Sequence, residues 1–140
     1  IINNKEYELS RNCRYYYNRT IINEQINKLK ELSSVTDIYY AVKANFNKEI
    51  IKYLIEKNIG LETVSLEEIE LILSIVDTYE LEVFVNIIYT PNFADLNDYE
   101  SIFKIKRKNV SIIVILDNLD ILKDYEIFNG KRIGIRLDLN

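Results

Sequence analysis

Five short apolar runs, each followed by a polar turn and an amphipathic stretch, constrain this chain more than any single residue does. They lie at about 38–44, 61–64, 83–89, 111–116 and 132–139. Their starts are about 20 to 30 residues apart, the length of one strand–helix unit. Strands that alternate with helices pair in parallel and cross over right-handedly. Two closures are common for such units, an open doubly wound sheet and a (β/α)8 barrel. A doubly wound nucleotide fold usually places a glycine-rich turn after its first strand, whereas the turn here, KANFNKE, has no glycine. The expected class is α/β, the N-terminal part of a (β/α)8 TIM barrel with about five parallel strands. Residues 1–140 then form an incomplete barrel domain, since five strands cannot close a barrel of eight.

The stretches between the runs carry start and stop signals. Thr20 is placed to cap a helix with Ile22, Ile26 and Leu29 on one face. Asn47 is placed to cap a second, whose Ile50, Ile51, Leu54 and Ile55 form one stripe, with Gly60 just past its end. Ser65 and Glu68 have the spacing of a capping box opening a third, continued by Ile69, Leu73 and Val76. Residues 94–106, with Tyr99, Ile102 and Phe103, suit a fourth helix, and 119–128 a shorter one.

Composition narrows the function classes. With 48% hydrophobic and 29% charged residues, three glycines and one proline, the chain is globular, neither disordered nor collagen-like. A net charge of −4 and a pI near 5.0 give no electrostatic footprint for nucleic acid or an anionic membrane. No apolar run approaches the ~20 residues of a membrane helix, and the opening IINNKEYELSR is not a signal peptide. The single cysteine, Cys13, fits a reducing cytoplasm. The chain has no histidine, so the commonest acid/base group and metal ligand is missing, and no metal site is expected. The initial Ile and the absence of Met read as a piece of a longer protein.

Side chains alternate across a strand. In the first run Ile38, Tyr40, Val42 and Ala44 share one face, and Tyr39, Ala41 and Lys43 the other. In the last run Ile133, Ile135, Leu137 and Leu139 oppose Arg132, Gly134, Arg136 and Asp138. The uniformly apolar face suits helices, so Lys43, Arg136 and Asp138 are expected to line the barrel interior. Active sites of this fold are built at the carboxyl ends of the strands. Lys43 stands at such an end, and Glu62 in the second run is placed similarly. Plainer readings stand beside these. A strand-end lysine is commonly a solvated rim residue, and Glu68 suits a helix cap. Arg136 and Asp138 can pair as interior filling, and Cys13 can be an ordinary small apolar residue. The tripeptide A-V-K also marks the strand lysine of protein kinases, but no glycine-rich loop precedes it and no HRD or DFG follows.

The segment YYAVKAN, residues 39–45, resembles the YAVKAN signature of the pyridoxal-phosphate-dependent decarboxylases of the ornithine/diaminopimelate/arginine type, which share a barrel with alanine racemase. CRYYYNRTIINEQINKLKEL before it, and GLETVSLEEIE and IGIRLDLN after it, are similar to further family stretches in the same order. The resemblance implies that Lys43 carries pyridoxal 5'-phosphate as a Schiff base. It implies that Glu62 holds the acidic catalytic position and that Glu68 and Arg136 serve the cofactor site. IIYTPNFADLNDYE and LDNLDILKDYEIFNGKRIGIRLDL look most like the diaminopimelate decarboxylase part of bifunctional aspartate kinase–decarboxylase proteins. Decarboxylation of meso-diaminopimelate to lysine, in a cytoplasmic homodimer without nucleic-acid or membrane partners, is the implied activity. The chain departs from the family pattern in three places. Glu62 stands for the usual aspartate, Leu66 and Glu67 replace small residues, and TPNFA replaces a lysine-containing turn. The family's ring-stacking histidine, phosphate loop, acidic partner of the pyridine nitrogen and substrate-facing cysteine are expected past residue 140, so these residues alone are expected to be inactive. The competing implication is a non-catalytic cofactor-binding relative of the antizyme-inhibitor kind.

The chemistry explains the residue types. Attachment of the cofactor aldehyde needs a lysine amine in its neutral form. Partial burial at a strand end favours that form, while neighbouring carboxylates oppose it but accept and return protons.

Overall fold

The computed structural model describes residues 15–116 and 118–136. Cys13 and Asp138 lie outside them, as do residues 137–139 of the last apolar run. The chain divides between Ile38 and Tyr39 into two units. In the first, α1 (Arg19–Lys30) is capped by Asn18, whose extended backbone lets its side chain accept from Thr20 N at 2.8 Å. Thr20 is therefore the capped residue and not the cap. Ile26 is buried but Leu29 is exposed, so the apolar face is narrower than its spacing predicts.

The second unit is one parallel sheet. Its strands are β1 (Tyr39–Ala41), β2 (Gly60–Thr63), β3 (Val85–Tyr89), β4 (Val110–Leu116) and β5 (Ile133–Ile135), in the order β1-β2-β3-β4-β5. That order decides between the two closures. A doubly wound sheet reverses its strand order at a switch point. Here each strand adds beside its predecessor, and right-handed crossovers then place every connection on one face. The connections are α2 (Lys48–Glu56), α3 (Leu66–Thr78), α4 (Leu96–Lys104) and a 3-10 stretch, Leu119–Phe128. This is the arrangement of the first part of a (β/α)8 barrel.

Burial separates the two faces. Leu61, Thr63, Ile87, Tyr89, Val114 and Leu116 are fully buried, and the apolar ones share a core with Ile51, Ile55, Ile69, Ile72 and Ile102 from the helices. Each such side chain contributes about 1.5–3 kcal/mol. The alternate residues Glu62, Asn86, Ile88, Thr90, Ile113 and Ile115 are half-buried on the opposite, inner face. Edge-to-face contacts from Tyr89 to Tyr99 (6.2 Å), Tyr99 to Phe128 (5.4 Å) and Phe128 to Phe103 (5.7 Å) tie β3, α4 and the 3-10 stretch together. Burial pushes the Tyr89 phenol well above its ordinary value.

Several boundaries differ from the sequence reading for local reasons. β1 ends at Ala41 because residues Val42–Ala44 wind into a 3-10 turn, closed by Asn45 N to Val42 O at 3.0 Å. Val83 and Phe84 precede β3 and are exposed. The fourth helix starts only at Leu96, where Asp95 and Asp98 form a reciprocal capping box. Residues 119–128 are 3-10 rather than α. Gly60 does not terminate α2. Lys57 caps it, Asn58 takes the left-handed conformation (φ 57°), and Gly60 opens β2.

Candidate active site at the carboxyl end of the sheet

Val42, fully buried on the helix face, anchors the turn after β1. Lys43 follows it and is directed away from that face. Side-chain hydrogen bonds hold this turn in place of glycines. Tyr40 OH donates to Asn45 O at 3.1 Å, and Asn45 Oδ1 accepts from Asn47 N at 3.0 Å. Asn47 Oδ1 then caps α2 by accepting from Glu49 N at 3.0 Å and Ile50 N at 3.3 Å, as its position predicts.

β2 places Glu62 beside Ala41 on one side and Ile88 on the other. Lys43 Nζ lies 3.9 Å from Glu62 Oε1, so two of the expected residues meet. The same oxygen accepts a hydrogen bond from Thr90 Oγ1. Thr90 is a residue that the sequence reading missed. It stands one position past β3, on the face of Asn86 and Ile88. Its N–H donates to Thr63 O at 2.8 Å, and its hydroxyl lies 3.3 Å from that same carbonyl. Pro91 biases Thr90 toward extended backbone and brings no N–H to continue the ladder. Strand parity together with the Thr–Pro step was the available signal.

The Lys43 side chain is 58% exposed and that of Glu62 21%. An ion pair so solvated is worth about 0–1 kcal/mol, so stability does not account for it. The expected partial burial of Lys43 is not found, because the chain leaves the sheet at Ala41, before Lys43 can be flanked by a strand.

Glu68 serves the start of α3. Its N–H donates to Ser65 Oγ at 3.3 Å, and its Oε2 accepts from Val64 N at 2.7 Å. The capping box is thus realised with the return bond displaced by one residue. Among the described residues, Glu68 makes no ion pair with Lys43. The neighbouring Glu67 carboxyl is held below its usual range by its own backbone N–H in the first turn and by Ser65. Arg136 follows β5, its N–H donating to Leu116 O at 2.9 Å, and its side chain is exposed. Alternation from Gly134 gives it the inner face, but among the described residues it makes no ion pair with Glu62. Two glycines on the inner face are covered by neighbouring side chains. The Tyr39 ring lies over Gly60 and the Ile115 side chain over Gly134, each where a Cβ would otherwise stand. Among the described residues no group of three or more His, Cys, Asp or Glu is placed to hold a metal, and no helix is long and apolar enough to cross a membrane.

An accessible primary amine beside a carboxylate, at the carboxyl ends of neighbouring strands in a barrel-type sheet, is chemically able to bond a carbonyl carbon. Residues 19–140 match the family described as pyridoxal-dependent decarboxylase, pyridoxal binding domain. The chain belongs to that family, and pyridoxal phosphate is the cofactor of its domain. No curated protein and no solved structure matches the chain.

Proposed function

We propose that Lys43 is the attachment point of pyridoxal phosphate in a decarboxylase of basic amino acids, with meso-diaminopimelate as substrate. The observation that carries the reading is the approach of Lys43 Nζ to Glu62 Oε1, 3.9 Å at the carboxyl ends of β1 and β2. The likeness of residues 87–100 and 116–139 to diaminopimelate decarboxylases supports the substrate, a place in lysine biosynthesis, and a cytoplasmic homodimer. When bound, the cofactor accepts the electron pair left at Cα as the carboxylate departs. The protein's own residues do the rest. Lys43 supplies the amine, which must lose a proton before it can bond to a carbonyl carbon. Glu62, with Oε1 3.9 Å away, is placed to take that proton through one bridging water and to return it. Arg136, a fixed cation on the same face, is suited to an anionic group of the cofactor. Glu68 contributes by fixing the β2–α3 turn beside Glu62.

Lys43→Ala in the full-length protein tests this. It removes a pair worth at most about 1 kcal/mol, so the fold survives. Loss of the absorbance of lysine-bound cofactor together with loss of decarboxylation is the expected result. A variant that keeps both would refute the assignment.

A further inference from the structure

We infer that Thr90 is a positioning residue that keeps Glu62 hydrogen-bonded in both of its protonation states, an inference that rests on reading Lys43 as the attachment lysine. A threonine hydroxyl has one proton to donate and lone pairs with which to accept. Two acceptors lie within reach of Thr90 Oγ1: Glu62 Oε1, to which it donates, and Thr63 O at 3.3 Å. The backbone of Thr90 is tied to Thr63 O through its own N–H at 2.8 Å. Thr63 is itself fully buried, its hydroxyl donating to Ile88 O at 3.3 Å. Rotation of the Thr90 O–H therefore switches its proton between the two acceptors.

While Glu62 is a carboxylate, Thr90 donates to the same oxygen that stands 3.9 Å from Lys43 Nζ. Lys43 Nζ and Glu62 Oε1 are 3.9 Å apart, so a proton passes between them through one bridging water; one N–H bond breaks and one O–H bond forms, leaving a neutral amine and a neutral acid. A hydroxyl still aimed at that oxygen would then oppose the acid proton. Thr90 instead turns its proton to Thr63 O and accepts from the Glu62 O–H. The half-buried acid is matched before and after transfer, and neither state bears the cost of an unmet polar group. A valine at this position has the same shape and matches Glu62 in neither state.

The test follows re-addition of pyridoxal phosphate to the cofactor-free, full-length protein, reading the absorbance of lysine-bound cofactor across pH. Thr90→Val is expected to slow attachment on the order of tenfold, the size of one hydrogen bond to a charged group, and to change its pH profile. Thr90→Ser, which keeps the hydroxyl, restores most of the rate and the wild-type profile. Thr90→Val attaching at the wild-type rate with the wild-type profile would overturn the role of Thr90 while leaving Lys43 in place. Equal slowing by valine and serine would assign the effect to packing and overturn it too. If Lys43→Ala retains the absorbance, the reading of Lys43 fails and the inference falls with it.

Discussion

Gly60→Ala probes the floor beneath the site. A Cβ at Gly60 would lie far inside contact distance of Cδ1 and Cε1 of the Tyr39 ring. Tyr39 and Gly60 are register partners, so neither backbone can withdraw without opening the β1–β2 ladder. The ring must swing away instead. Overpacking of this kind costs about 1–3 kcal/mol, and a more restricted unfolded chain returns about 0.4–1 kcal/mol. A net loss of roughly 1–2 kcal/mol remains, a fall in Tm of roughly 3–10 °C for a domain of this size. Thermal unfolding of the wild type, Gly60→Ala, Tyr39→Ala and the double variant measures it. With the ring gone the three atoms nearest the added methyl are removed, so Gly60→Ala should be neutral or slightly stabilising in the Tyr39→Ala background. The unfolded-chain effect cancels between the two backgrounds, and the resulting coupling, the overpacking cost of about 1–3 kcal/mol, is above the scatter of independent sites. Equal destabilisation by Gly60→Ala in both backgrounds would show that the ring is not what excludes the methyl, and the described packing of the inner face would be wrong.

Arg136→Ala should lower decarboxylation by tenfold or more while leaving Tm within the narrow range of exposed substitutions, about ±0.5 kcal/mol; wild-type turnover with a large fall in Tm would reverse the assignment. Asp77 and Arg107 form a two-pronged ion pair, with Nη2 3.0 Å from Oδ2, and the Arg107 hydrogen bond holds the Asp77 carboxyl below its ordinary value. A carboxyl lowered by folding stabilises above its unfolded pKa, and that contribution is lost as pH falls through the lower folded value. Asp77→Asn should therefore reduce Tm at neutral pH, and the difference from wild type should vanish in strong acid. A difference that persists there would point to packing in place of charge.

The parts of this fold that could be read from sequence are those fixed by local rules. Asn47 and Ser65 cap helices as their positions predict, because an N-cap depends only on a few following N–H groups. Ile50, Ile51, Leu54 and Ile55 are all buried as their stripe predicts. The placing of Gly60 and Thr90 depended on neighbours far along the chain. Gly60 reads as a helix terminator in isolation, but its place is dictated by a ring 21 positions earlier in sequence. Thr90 carries no motif of its own, and it becomes part of the site only because β2 and β3 pair with Glu62 opposite Ile88.

Lys43 shows how far strand parity extends. Successive residues turn by about 180° in a strand but by about 120° in a 3-10 turn of three residues. Strict alternation therefore stops applying at Val42, the first residue of the turn. Lys43 still reaches the inner face because Val42 is fixed on the opposite one, and a rotation of about 120° from there clears the helices. The remaining distance is covered by side-chain length. Here the length of the glutamate at 62, one methylene more than an aspartate, acquires a reason. With Lys43 displaced onto a solvated turn, Glu62 Oε1 comes within 3.9 Å of its amine. A carboxylate shortened by one C–C bond, about 1.5 Å, would be separated from that amine by a gap that water fills. It would also be drawn back from the Thr90 hydroxyl, so the length of Glu62 sets both contacts at once.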